Sequence, residues 1–300
     1  VSRDWSSDVC SSDLKLGELG AGVFAESVMH VPKDTVRAAC EAVSKLHADC
    51  CVAIGGGSTI GLAKAIALET GLPVVALPTT LAGSEMTPIY GITEDGVKKT
   101  GRDPRVLPRT VIYDPALTLS LPARVALPSG MNAIAHCVEG LYAQDANPLM
   151  NLLAVEGIRT LSQALPQIVS KPENLDVRAN ALYGAWLAGT VLGNVGMALH
   201  HKLCHTLGGT FNLPHAETHT VILPHVIRYN TQAAPEAMER AAEALGSRNA
   251  AQGAYDLAAS LGAVMSLEEL GMPEDGIERA ARLAVENPYY NPRQIGRAHV

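Results

Sequence analysis

Two hydrophobic patterns follow one another along this chain. Up to about residue 128, short apolar runs alternate with helical periodicity; beyond it only helical periodicity is found. Cys50–Ile54, Val74–Leu77 and Thr110–Tyr113 are short and apolar, the mark of strands covered on both faces. Val23–Val31 is a further strand candidate. Lys33–His47 and Thr59–Thr70 read as helices, the second closed by Gly71. Strand and helix in alternation give βαβ units and hence a parallel sheet. From Ser129 the periodicity predicts helices over 130–143, 148–164, 176–208, 217–230, 235–246, 251–263 and 275–286. We therefore expect an α/β domain over 15–128 and an all-α domain over 129–294, with the boundary near Pro128.

Composition narrows the choices. The 300 residues are 47% hydrophobic and 18% charged, which suits a globular chain. A net charge of −7 argues against nucleic acid or an anionic membrane surface as partner. Ala179–Leu199 has no charge and could span a bilayer by length, but its asparagines and glycines favour a buried core helix. Six cysteines without framework spacing fit reduced thiols and a cytoplasmic location. Val1–Leu14 (VSRDWSSDVCSSDL) and Ile295–Val300 (IGRAHV) resemble translated adapter DNA, and both are set aside with Trp5 and Cys10 as non-native.

Two stretches carry chemistry. Gly55–Gly56–Gly57–Ser58 joins a strand directly to a helix, so first-turn N–H groups and the helix dipole can face an anion. Ser58 can act there as N-cap and phosphate ligand. Thr79, Thr80, Ser84 and Thr87 follow the next strand, on the same C-terminal sheet edge, and offer hydroxyls to a dinucleotide; Lys98 or Lys99 offers a cation to its phosphate or ribose. The second stretch is H-H-K-L-C-H-T-L-G-G-T-F-N-L-P-H. His201 and His205 stand four apart, one helical turn on one face. Gly208 and Gly209 should end that helix, and Pro214 should stiffen a loop presenting His215. Imidazoles grouped in this way are metal ligands or proton donors.

Together VAIGGGSTIGLAKAIALETG, PTTLAGSEMTPIYGIT, LPRTVIYDPALTLSLP, SGMNAIAHCVEGLYA and LHHKLCHTLGGTFNLPHAETH resemble the iron-containing alcohol dehydrogenase superfamily, and within it the maleylacetate reductase branch. The resemblance covers 15–294. It implies a dehydroquinate synthase-like fold: a dinucleotide-binding α/β domain, truncated at its N-terminus, and an all-α domain, with the active site in the cleft. It further implies a homodimer, NADH or NADPH as cofactor, and a ribose-reading acid in the absent portion. The superfamily holds a divalent metal with one Asp and three His. By motif these positions are Asn132, His136, His201 and His215, so the anionic ligand is replaced by an amide and an obligatory metal is not expected. The position where many members carry an acid after the Ser is Gly61, which should leave room and remove a negative charge near an anionic substrate.

The activity so implied is reduction of the conjugated C=C of maleylacetate to 3-oxoadipate, in the breakdown of aromatic compounds. Hydride at the alkene carbon leaves an enolate, which needs hydrogen-bond donors and an acid. His136, His201, His205 and His215 can supply both. Lys202, His200, His219 and a helix N-terminus at Ser129 are candidates for holding the two substrate carboxylates. The alternatives are a metal-dependent alcohol or polyol dehydrogenase using Asn132 as ligand, and a non-catalytic nucleotide- or metal-binding protein.

Overall fold

The computed structural model describes residues 17–94, 97–286 and 289–296, with the side chains of residues 18, 97 and 98 left aside. Two compact units divide between Leu121 and Pro122. In the first, α1 (Lys33–Leu46) precedes β1 (Cys51–Gly55), α2 (Gly57–Thr70), β2 (Val74–Pro78) and β5 (Thr110–Val111). β1 and β5 flank β2, all parallel, with Val52 opposite Val75 and Ala76 opposite Val111. This is the βαβ arrangement that the apolar runs predict. α2 ends at Gly71, whose φ of 76° is the left-handed conformation that glycine adopts without a Cβ penalty.

Two features of this unit depart from the expectation. Val23–Val31 forms no strand; Val23 and Met29 are exposed, while Val31 and Phe24 pack against Val36, Leu62 and Ile66, and Thr93 donates its N–H to Val31 O and its hydroxyl to His30 O. Pro32, which lacks an N–H, makes only an isolated bridge to Thr93. Conversely β3 (Ile89–Glu94) and β4 (Val97–Arg102) form an antiparallel hairpin that the apolar pattern misses. Its strands are half polar, and the signal lay in Asp95-Gly96, a dipeptide suited to hairpin turns.

The second unit is all helical among the described residues: α3 (Ala123–Leu141), α4 (Pro148–Ser170), α5 (Leu175–Asn194), α6 (Leu199–Phe211), α7 (His215–Asn230), α8 (Pro235–Ala244), α9 (Ala250–Ser260) and α10 (Gly276–Val285). α3 is the central rod, buried from Ala126 to Leu141 and packed on α4, α5 and α7. It opens at Ala123 behind Pro122, so Pro128 lies inside it and Ser129 is not at a helix start. The expected 176–208 helix is two, α5 and α6, which meet at 95°. No single helix among the described residues is long and apolar enough to cross a membrane. Ile295, set aside on sequence grounds, packs on a cluster that includes Leu199, Leu207 and Ile222.

Glycines allow α3, α4 and α5 to approach. A Cβ on Gly184 would lie 2.6 Å from Leu161 Cγ, and Leu161 is fully buried. Gly184→Ala should therefore cost about 1–3 kcal/mol by overpacking, against about 1 kcal/mol of helix propensity regained. The measured thermal midpoint should fall. Gly209→Ala, where nothing lies within 4 Å, should hold or raise it.

Candidate active site

At the sheet edge, the two expected loops do meet. Thr79 N–H donates to Gly55 O at 3.0 Å, and a Cβ on Gly56 would lie 2.8 Å from Thr80 Cγ2. The backbone passes too closely there for any side chain. Gly55 has φ 153°, which also favours glycine. Gly56 and not Ser58 is the N-cap of α2, so Ser58 stands in the first turn with its N–H toward the helix mouth. Ser84 Oγ is buried without a partner. Thr87 does not serve as a ligand group: its hydroxyl accepts from Lys64 Nζ at 2.9 Å and from Ile89 N–H, and donates to Ser84 O. Lys99 is paired with Glu94, which also holds Lys33; the two ammonium groups pull the Glu94 carboxyl down to about 2. Lys98 pairs by its backbone with Thr93, and its side chain lies outside the described part. Gly61 leaves no free room, because a Cβ there would lie 2.9 Å from Val31 Cγ2.

In the helical unit six imidazoles converge. The centroid of His201 lies 4.9 Å from His136, 5.3 Å from His200, 4.9 Å from His219 and 6.0 Å from His205; His215 lies 4.4 Å from His219. Three helices supply them at one-turn spacing: Asn132 and His136 on α3, His201 and His205 on α6, His215 and His219 on α7. His136, His200, His201 and His219 are buried, whereas His205 and His215 are exposed, so the cluster has a dry floor and a wet rim. Asn132 Oδ1, His136 Nδ1, His201 Nε2 and His219 Nε2 are buried without hydrogen-bond partners. Orphaned polar atoms of this kind mark a ligand position. His225 is exposed.

The floor is organised by Glu139, a residue that the sequence reading passed over. Its carboxylate, fully buried, accepts from Ala198 N–H at 2.9 Å, His200 N–H at 2.7 Å and His201 Nδ1 at 2.7 Å. Helix α6 has no side-chain cap of its own, so Glu139 caps it from α3. Burial raises the Glu139 carboxyl, but the His201 hydrogen bond and charge outweigh it and bring it down to about 2. The helix face 132–136–139 was the available signal. α6 runs past Gly208 and Gly209 to Phe211 and ends on Asn212 in the left-handed conformation; His215 is the first residue of α7 and not a loop residue.

Of the candidates for substrate carboxylates, Lys202 is half-buried with its ammonium 5.7 Å from the Tyr289 ring. His200 Nε2 and His219 Nδ1 are 3.0 Å apart, which fixes one against the other. The helix N-terminus expected at Ser129 does not exist. Burial lowers His136 and His219 far below the usual imidazole range and brings His200 to about 3, with neighbouring imidazoles adding to it. These groups are therefore neutral N–H donors and lone-pair acceptors at ordinary pH. For a divalent ion, Asn132, His136 and His201 offer buried, unpartnered neutral donors, but among the described residues the ligand atoms that lie within 4.8 Å of one another are those of His200, Cys204 and His219. The Glu139 carboxylate stands one step behind, on His201.

Acid should undo this floor. The unfolded chain takes up protons on His136, His200 and His219 below about pH 6.5, which the fold resists, and on Glu139 from about 4.5 down to 2. Both changes remove stability as pH falls. The thermal midpoint should be steady above pH 7 and drop continuously from about 6.5 to 3; a flat profile there would contradict the burial described.

The family description "Fe-containing alcohol dehydrogenase family, C-terminal" matches residues 126–300, and "Iron-containing alcohol dehydrogenase" matches 5–115. Maleylacetate reductase of Sphingobium indicum is 60% identical over 93% of this chain and 80% of its own length; that of Burkholderia cepacia is 61% identical over 94% and 80%. The crystal structure of maleylacetate reductase from Rhizobium sp. strain MTP-10005 is similar with a TM-score of 0.92 and 52% identity, covering 95% of this chain and 81% of that one. With motifs, fold and relatives in agreement, the chain belongs to the iron-containing alcohol dehydrogenase family and is an oxidoreductase.

Proposed function

We propose that this chain reduces the conjugated C=C of maleylacetate to 3-oxoadipate with NADH or NADPH. The observation that carries the reading, beside relatives of that name at 60% identity, is the cluster of buried imidazoles around His201, with a buried, unpartnered amide, Asn132, one helical turn before His136 where the family motif has an acid. The reading brings with it a dicarboxylate substrate, a homodimer and a cytoplasmic location. The free thiols of Cys40, Cys50, Cys51, Cys137 and Cys204 support the last.

When bound, the nicotinamide cofactor supplies a hydride and a divalent ion, if held by Asn132, His136, His201 and His215, supplies a Lewis acid. The chain's own residues do the rest. Gly55, Gly56 and the first turn of α2 would hold the cofactor's pyrophosphate through backbone N–H groups. Hydride addition to the alkene carbon β to the ketone places negative charge on the ketone oxygen, as an enolate. His136 and His219 can donate N–H groups to that oxygen without changing charge, and preorganised donors of this kind act most strongly in a dry site. Glu139 keeps a proton on His201 Nδ1 and fixes the ring and its tautomer, leaving Nε2 as the ring's acceptor. A proton taken from water and passed by the exposed rim imidazoles, His205 or His215, to the α carbon then completes the addition, and the two electrons come from the cofactor's hydride. An enolate is a far weaker base than the alkoxide left by carbonyl reduction, so neutral donors suffice where an alcohol dehydrogenase gains most from a metal.

Oxidation of NADH by the chain should depend on maleylacetate and survive EDTA. Loss of activity on chelation, restored by zinc or iron, would instead favour a metal-dependent alcohol dehydrogenase. Asn132→Asp should convert the first behaviour toward the second: metal content per chain rises, and activity becomes chelator-sensitive. Glu139→Gln should cost about 10–100-fold in turnover by releasing His201. It should also lower the melting temperature, since each hydrogen bond to the buried charge is worth about 1.5–3 kcal/mol.

A further inference from the structure

We propose that Lys64 is a positioning residue for the dinucleotide, its buried ammonium moulding the 79–89 segment so that Ser84 is held toward the bound cofactor. The inference rests on the dinucleotide reading given above.

Lys64 is 2% exposed, on α2, under two turns beyond Ser58. Its Nζ donates to Ser84 O, to Thr87 O at 2.8 Å, to Thr87 Oγ1 at 2.9 Å and to Ile89 O at 2.9 Å. Four oxygens around one nitrogen leave no place for a lone pair, so this cage selects the ammonium over the amine. Burial is the larger influence on Lys64 and, set against the opposing Glu85 carboxylate, leaves it lowered to about 7. Glu85 is also buried, but it accepts from the Tyr113 hydroxyl at 2.8 Å and is not one of the four cage oxygens.

A hydrocarbon side chain would fill the same volume without a desolvation cost of several kcal/mol. What it could not do is fix three carbonyls at set distances. The cage ties the helix that receives the pyrophosphate to the loop following the next strand. It uses the Ser84 carbonyl and leaves the Ser84 hydroxyl, which is buried and unpartnered, for something other than the protein. Ser84 opens a single short turn behind Gly83 (φ 75°), closed by Met86 N–H to Gly83 O and Thr87 N–H to Ser84 O, and Lys64 adds its ammonium to the same Ser84 carbonyl.

The test is a double-mutant cycle with Lys64→Met and Ser84→Ala, read by fluorescence titration with NADH and by steady-state kinetics. Lys64→Met should weaken NADH binding by about 10–100-fold, as expected for misplacing a contact by about 1 Å. The loss should fall on KM for NADH more than on kcat, with KM for maleylacetate little changed. Ser84→Ala should weaken binding in the wild type and add little in the Lys64→Met background. A purely structural role would lower the melting temperature and the active fraction and leave the NADH constant unaltered. NADH binding as in the wild type, or strictly additive effects, overturns the proposal. Should Lys64→Met fail to fold, Thr87→Val removes one acceptor and keeps the lysine; it should show weakened binding coupled to Ser84, and unchanged affinity overturns the proposal equally. A wild type that binds neither NADH nor NADPH overturns the dinucleotide reading itself.

Discussion

One buried carboxylate decides the form of the helical unit. Removing Glu139 from water is expensive, and the cost is met only because several donors reach it together: the first N–H groups of α6 and the ring of His201. The break between α5 and α6 follows from this. A continuous helix through Gly196 would bury the Ala198 and His200 N–H groups in its own ladder and leave Glu139 alone. With the break, α6 starts on the carboxylate, its dipole adds to the attraction, and His200 and His201 enter the cluster from a fixed point. Asp145 holds the same loop by accepting from Gly196 N–H at 2.8 Å. The bend and the imidazole floor are therefore one feature.

Much of this could be seen in the residues. β1, the glycine loop, α2 and β2 lie where apolar runs and Gly71 put them, because each is determined locally. The one-turn pairs on α3 and α6 also needed only helical periodicity. What stayed hidden depends on partners distant in the chain. Ala179–Leu199 reads as a single helix, and only a carboxylate 59 residues away from Ala198 interrupts it. Gly208 and Gly209 look like a stop, yet neighbouring packing carries α6 through to Asn212. The β3–β4 hairpin was hidden by its polar strands. Thr87 looked like a hydroxyl for a ligand until Lys64 was found to occupy it. For the α5–α6 break and for Thr87, local propensity was overruled by a polar contact made across the fold.

The location of negative charge links the site to its chemistry. An acid at position 132 would place a charge directly on the reacting centre, whereas Asn132 places none; Glu139 lies behind His201 and is neutralised by N–H groups and an imidazole. Two unit charges 4 Å apart interact by about 4 kcal/mol at an effective dielectric near 20. An aspartate that no cation covers would oppose both a dicarboxylate substrate and the enolate formed from it by that order of energy. An amide is neutral toward both and still offers an oxygen to a cation or an N–H to an anion. Under the proposed function, an amide here would favour a developing anion over a held metal, while the carboxylate behind His201 keeps that ring in place.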